Sequence, residues 1–347
     1  MSEQAAPSRR RFVSLIAGGA ASTALISAPF VRTAHAATKV RFAGQTFSAE
    51  MGRIVAKELG YDKEFGVDWD FQIFRGANEI SETLISGRSD SGGIGSFASI
   101  AMGANDAPVR VAFAYAYGGN RTALIARKGS DIKSVKDLIG RKVGSRFGGI
   151  DHAMLMMALS KAGIKQSQLE LINMKAEDIP AGLAANLIDA ASGTEPSNSV
   201  WVEKGLGDVV FRGGQYMAAY AFGHLTTPFM EKSPEAAYAT VLAYAKAMHW
   251  GRQNEADAAK LVAKVLKQDE KTVASSMRWL VYDPRLKPLA QQSEQESAAL
   301  LKDLGRIRKI PDFSVYHHKA LIERAEKEHP ELFADLDAYA ARKEKQT

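Results

Sequence analysis

Short apolar runs alternate along the chain with stretches whose apolar residues recur every three or four positions. The run Lys39-Val40-Arg41-Phe42-Ala43-Gly44 is followed by such a stretch from Glu50 to Leu59, a switch from strand to helix periodicity. Further strand candidates are 69–74, 109–115, 122–127, 142–145, 169–174, 187–191 and 219–225, with helical patterns between most of them. This rhythm predicts an α/β protein whose sheets are covered by helices on both faces, with ligands received at the carboxyl ends of strands. Beyond Phe229 the rhythm stops and the chain reads as helical, in segments near 234–252, 256–266 and 291–304; Pro234 suits the first turn of the first of these.

One pattern occurs twice. Leu84-x-x-Gly87-x-x-Asp90 returns ninety-nine residues later as Leu183-x-x-Asn186-x-x-Asp189, each closing a helical stretch and opening a short strand. Gly and Asn are the residues that best accept the left-handed conformation of a helix C-cap. Two similar halves would explain the recurrence, as would coincidence between two ordinary helix-to-strand turns.

The N-terminus changes the picture. Ser8-Arg9-Arg10-Arg11-Phe12-Val13 is a twin-arginine element, followed by an apolar stretch diluted by glycine, serine and threonine and then by Ala34-His35-Ala36. This reads as an export signal cleaved after Ala36 rather than as a membrane span. Without residues 1–36 the net charge falls from +6 to +3. No basic block with interleaved aromatics points to nucleic acid. The absence of cysteine excludes disulfides and thiolate metal sites. About 311 residues remain, enough for two domains.

The segment Ile132-Lys133-Ser134-Val135-Lys136-Asp137-Leu138-Ile139-Gly140-Arg141-Lys142-Val143-Gly144 resembles the opening of the second lobe in nitrate/sulfonate/taurine-type solute-binding proteins, the SsuA/THI5-like family. The strand before it, the Gly148-Gly149-Ile150-Asp151-His152 helix entrance, the two helix-turn-Asp echoes and Glu195-Pro196 fit the same pattern, from about Lys39 to Gln253. Relatives commonly carry an aromatic residue where this chain has Thr194. The resemblance implies a type II periplasmic-binding-protein fold: two doubly wound lobes with a ligand cleft between them, and a helical C-terminal segment. Lobe 1 would be residues 38–117 plus 219–347 and lobe 2 residues 118–218, with crossings near Tyr117 and Ala219. It implies the extracytoplasmic substrate-binding component of an ABC importer, monomeric and without cofactor, that hands a small solute to a permease and its ATPase. The solute would be anionic or zwitterionic, like a sulfonate, nitrate or taurine; an aromatic carboxylate or a pyrimidine is the alternative, as is an exported enzyme or ligand sensor on the same scaffold.

In such folds backbone N–H groups at helix N-termini and polar or aromatic side chains on strand-to-helix loops converge on the cleft. Four loops supply the candidates. Gln45 and Thr46 lie in the first, where Ser48 could be a helix N-cap. Ser96 and Phe97 lie in the second, Gly93-Ile94-Gly95-Ser96-Phe97-Ala98. That run lacks the preceding apolar strand and following acidic residue of a dinucleotide site. Gly148, Gly149 and His152 form the third, the strongest anion-site candidate because paired glycines allow close backbone approach; Asp151 could serve there as the helix N-cap. Glu195 and Asn198 form the fourth, Glu195 facing either a ligand cation or a basic group such as Arg121. Tyr117 is an aromatic candidate for contact with a flat ligand. No nucleophile elbow, zinc-binding His-Glu-x-x-His or phosphate loop occurs. His317-His318 reads as a solvated helix face. The fungal pyrimidine-synthesis enzymes that this family resembles carry a cysteine-rich element absent here.

Overall fold

Ten strands build two five-stranded sheets in the computed structural model, which describes residues 37–345 apart from Thr46, Arg75 and Gly148. The expected signal segment 1–36 and the candidates Thr46 and Gly148 therefore lie outside the described residues. The strands are β1 (Thr38–Gly44), β2 (Val67–Ile73), β3 (Ser91–Gly95), β4 (Val109–Ala116), β5 (Thr122–Arg127), β6 (Lys142–Ser145), β7 (Glu170–Asn173), β8 (Ala190–Thr194), β9 (Gly207–Arg212) and β10 (Ala221–Thr226).

The two sheets have one plan. In the first the order is β2-β1-β3-β10-β4, with β1 parallel to β2 and β3 and with β10 antiparallel to β3 and β4. In the second it is β7-β6-β8-β5-β9, with β6 parallel to β7 and β8 and with β5 antiparallel to β8 and β9. The repeated sequence pattern occupies equivalent places in this plan. Gly87 and Asn186 both take positive φ, 69° and 58°. The aspartate three residues later then reaches sideways: Asp90 accepts the Arg41 N–H of β1 at 2.9 Å, and Asp189 accepts the Lys142 N–H of β6 at 3.0 Å. Each aspartate thereby fixes where its central strand begins against the neighbour. This also explains why β8 starts at Ala190 and not near 187: the turn residue Leu187 is 63% exposed, and pairing begins only after Asp189. Strand β9 was not expected from its pattern; it is a sheet edge with Val209 exposed, so one face lacks the burial that creates a strand signal.

Two chain passages join the sheets, one between β4 and β5 and one between β9 and β10. They run side by side, with the Gly118 N–H donating to the Ala218 carbonyl at 3.0 Å. Gly119 is required here because a Cβ would collide with the Met217 carbonyl oxygen.

Helices cover both sheets. Tyr244 of the twenty-residue helix Pro234–Gln253 stacks into an aromatic nest with Phe42, Trp69 and Phe113 beneath the first sheet. Helix Ile150–Lys161 is buried along most of its length against the second sheet, and its apolar residues accordingly surround it rather than forming a stripe. After β10 the described chain is helical apart from connections. Helix Pro288–Asp303 packs on both cores, with Ala298 and Leu301 on the first and Leu300 on the second. His317 corrects its sequence reading: it is buried, with Nε2 2.5 Å from the Glu294 carboxylate, because the segment carrying it is pinned to β4 beside Val111.

Candidate functional site

Between the sheets lies a cleft of about 590 Å³. Four of its walls are the loops where strands β1, β3, β6 and β8 give way to helices, which is where parallel strands end and unpaired backbone donors face outward. Of the sequence candidates, Gln45, Ser96, Phe97, Gly149 and Glu195 line it. Tyr117 lines a separate cavity of about 440 Å³ beside the two passages and stacks on Tyr220 at 4.8 Å between centroids. His152 and Asn198 are not in the cleft lining. The His152 ring lies against that of Phe147, with centroids 4.6 Å apart, and burial holds its pKa below the ordinary histidine value. Asn198 is fully buried, donating through Nδ2 to the carbonyls of Arg121 at 3.2 Å and Gly193 at 3.1 Å.

Among the helices whose first residues line this cleft are Ser96–Ala104 and Ile150–Lys161. Helix Ser96–Ala104 starts from Gly95 in extended conformation. The Ser96 N–H is taken by the Tyr220 carbonyl at 3.0 Å, while the Ser96 hydroxyl is buried without a partner. No acidic residue lies in its first turn. Helix Ile150–Lys161 starts from Gly149, also extended, so Gly149 and not Asp151 is its N-cap. Asp151 sits inside the first turn, buried, with its Oδ1 3.2 Å from Arg146 Nη2. Burial pushes its carboxyl pKa up despite the pull of that arginine. Carboxylates are stabilised at helix N-termini, so this end already carries its own anion.

The residue that sequence reasoning did not place among the ligand contacts is Arg121. It lines the cleft and is 7% exposed, its Nε has no hydrogen-bond partner, and it forms no ion pair with any described carboxylate. Burial lowers its pKa from the ordinary arginine value, the mark of a cation held away from water; a guanidinium keeps its charge in proteins. A charge desolvated without a counter-ion costs several kcal/mol, and an anion entering the cleft would offset that cost. The Glu195 loop positions it through the main chain: the Glu195 N–H and Asn198 Nδ2 both donate to the Arg121 carbonyl, at 2.8 and 3.2 Å. A sequence signal existed in the lone arginine between the Gly118-Gly119-Asn120 turn and β5, a strand buried for five of its six residues, where a charge has little reason to lie unless a site needs it.

Glu195 is held by the protein. Its Oε1 accepts from Arg212 at 2.9 Å, and Oε2 accepts from the Ser199 N–H and hydroxyl at 3.2 and 2.8 Å. Its partner is thus Arg212 and not Arg121. Glu50, which accepts the Gln45 N–H, is likewise bound to Arg53 at 2.9 Å. Apolar surface completes the cleft through Phe47, Phe97, Phe147, Ile150, Ile179 and Trp201, so the wall combines one unpaired cation with a largely apolar lining.

Two similarly built sheets joined by two adjacent passages, with a cleft between them, define a two-lobed α/β fold. The chain belongs to the NMT1/THI5 like family, whose model matches residues 48–258. It is 30% identical over 170 residues to the taurine-binding periplasmic protein of Escherichia coli, covering 49% of this chain and 52% of that protein; the match spans about half the relative's length. Its fold is that of the periplasmic aliphatic sulphonate binding protein SsuA from Escherichia coli, with a TM-score of 0.72 at 22% identity over 81% of this chain and 92% of that one. The desulfurization enzyme DszB shares the fold with a TM-score of 0.65 at 15% identity, over 84% and 99% of the two chains, so the scaffold by itself does not separate binding from catalysis.

Proposed function

We propose that this protein is the extracytoplasmic solute-binding component of an ABC importer, capturing a small organic anion between its sheets and presenting it to a membrane permease. The observation that carries this reading is Arg121, a buried guanidinium lining the inter-sheet cleft with no counter-ion among the described residues. Similarity to a taurine-binding periplasmic protein, 30% identical over 170 residues, supports it. The binding bodies are residues 38–117 plus 219–347 and residues 118–218, monomeric, closing about the two passages as a hinge. The twin-arginine element delivers the folded chain across the membrane, and replacing Arg9 and Arg10 by lysine leaves precursor in the cytoplasm.

Calorimetric titration with propanesulfonate and other small sulfonates and carboxylates tests the central claim. Saturable binding is expected with the ligand recovered chemically unchanged, and is lost in Arg121→Met. Conversion of the ligand would replace the binding reading with an enzymatic one; equal affinity in Arg121→Met would remove this arginine from the site.

A further inference from the structure

Three parts of the molecule meet on Arg212, which ends β9 at the start of the second passage. Its Nη1 donates to the Asn120 carbonyl of the first passage and to Glu195 Oε1 in the cleft wall, each at 2.9 Å. Its guanidinium carbon stands 3.8 Å from the centroid of the Trp279 ring, a stacking geometry that stabilises a cation over an indole. Trp279 precedes Leu280 and Val281, which belong to the core of the first sheet, so the arginine of one sheet leans on the segment that leads into the core of the other.

The consequence for the cleft is electrostatic. Its two acidic lining residues are each claimed by an arginine, Glu195 by Arg212 and Asp151 by Arg146, and Glu50 next to it is claimed by Arg53. Arg121 alone among these arginines has no described carboxylate within ion-pair distance. The wall therefore offers a cation to an incoming acid group and no unclaimed carboxylate to an incoming ammonium. To reach Glu195, an ammonium would have to displace Arg212, and with it the Asn120 hydrogen bond and the Trp279 stack. An apolar end would meet Phe47, Phe97, Phe147 and Trp201 without any such loss.

We infer that Arg212 is a specificity-determining positioning residue: by holding Glu195 it restricts the cleft to anions with an apolar body and rejects zwitterions that carry the same acid group. This rests on the cleft being the solute site proposed above. The test compares propanesulfonate with 3-aminopropanesulfonate, which differ by one ammonium group, on full-length mature protein. Wild type should bind propanesulfonate at least about tenfold more tightly, a difference of about 1.4 kcal/mol. Arg212→Met should release Glu195 and erase or reverse that ratio, and Arg212→Met with Glu195→Gln should restore it, which a purely structural arginine would not do. If Arg212→Met does not melt cooperatively, Arg212→Lys, which keeps a cation without the planar fork, should narrow the ratio by a smaller factor. A wild-type preference for the amino compound, equal affinities for the two probes, or a ratio untouched by these substitutions overturns the inference while leaving the solute-binding function standing. Binding of neither probe by wild type overturns the sulfonate-type reading of the cleft and this inference together.

Discussion

Helices Ser96–Ala104 and Ile150–Lys161 enter the cleft from opposite sheets, each starting from a glycine with extended backbone, Gly95 at the end of β3 and Gly149 in the loop after β6. Their N-termini are nevertheless in different electrostatic states. The second carries its own carboxylate, Asp151, tied to Arg146, whereas the first has a buried unpartnered hydroxyl, Ser96, and no acid. The sequence points to the glycine pair at 148 and 149 as the anion site; the geometry favours the Ser96 mouth together with Arg121. Two helix ends that face one cleft need not do the same chemistry, because an acidic residue in the first turn already occupies the positive end of the helix.

The largest effect should come from the cation that breaks the symmetry. Arg121→Met is expected to weaken binding of propanesulfonate by roughly thirtyfold, equivalent to losing about 2 kcal/mol from a charged hydrogen bond. It should leave the ligand-free melting temperature unchanged or higher, since it removes an unpaired buried charge. Titration and a melting curve on one preparation check both signs; a large drop in stability would mean that Arg121 serves the fold.

Paired glycine substitutions sharpen the contrast between the two helix ends. At Gly95 an added Cβ meets nothing within 4 Å, and the extended backbone suits valine. Gly95→Val should fold normally and lose about tenfold in affinity by filling the first mouth. At Gly149 the Cβ would press on the Asp151 carboxylate and the Arg146 guanidinium, so Gly149→Val should melt early and keep most of its affinity. If the two variants exchange phenotypes, the anion sits at the second helix. A smaller effect is expected from Ser96→Ala, which deletes a neutral donor worth about 1 kcal/mol, roughly fivefold in affinity.

The smallest effect concerns stability away from the cleft. His224 is fully buried with Nε2 2.9 Å from the Ser99 hydroxyl, and desolvation depresses its pKa from 6.5 to about 3. A histidine depressed on folding contributes stability that is complete above its unfolded value and is lost as pH falls from 6.5 toward 3. Buried Glu50, Asp151 and Glu294 have raised pKa values and act in the opposite sense, favouring the fold as they protonate. His224→Gln should therefore flatten the acid limb of a denaturant-midpoint series relative to wild type while leaving the cleft's affinity unaltered. An unchanged slope would show that His224 does not govern that limb.

Much of the architecture is legible in the chain because its causes are local. The alternation of apolar runs and amphipathic stretches gives the strand and helix order, and the change after Phe229 marks the helical end. Leu-x-x-Gly-x-x-Asp and Leu-x-x-Asn-x-x-Asp place a left-handed turn and a side-reaching carboxylate before β3 and β8. Loops that turn from strand to helix identify the neighbourhood of the cleft, and five of the eight described candidates line it. Strand β9 and the burial of His317 were hidden, because an edge strand and a close approach between distant segments leave no periodic trace.

The partner of Glu195 is what tertiary structure alone decided. Glu195, Arg121 and Arg212 are all conspicuous in the sequence, but which arginine takes the carboxylate depends on the return of β9 beside β5, a juxtaposition of residues far apart in the chain. With Arg212 on Glu195 and Arg146 on Asp151, Arg121 is left as the cation of the cleft. Residue types and local periodicity determine how the chain folds into two like sheets. The sign of the site is set by which carboxylate each arginine reaches: Arg146 meets Asp151 within its own loop, but Arg212 meets Glu195 only because β9 returns beside β5, and Coulomb interactions are strong at such short range.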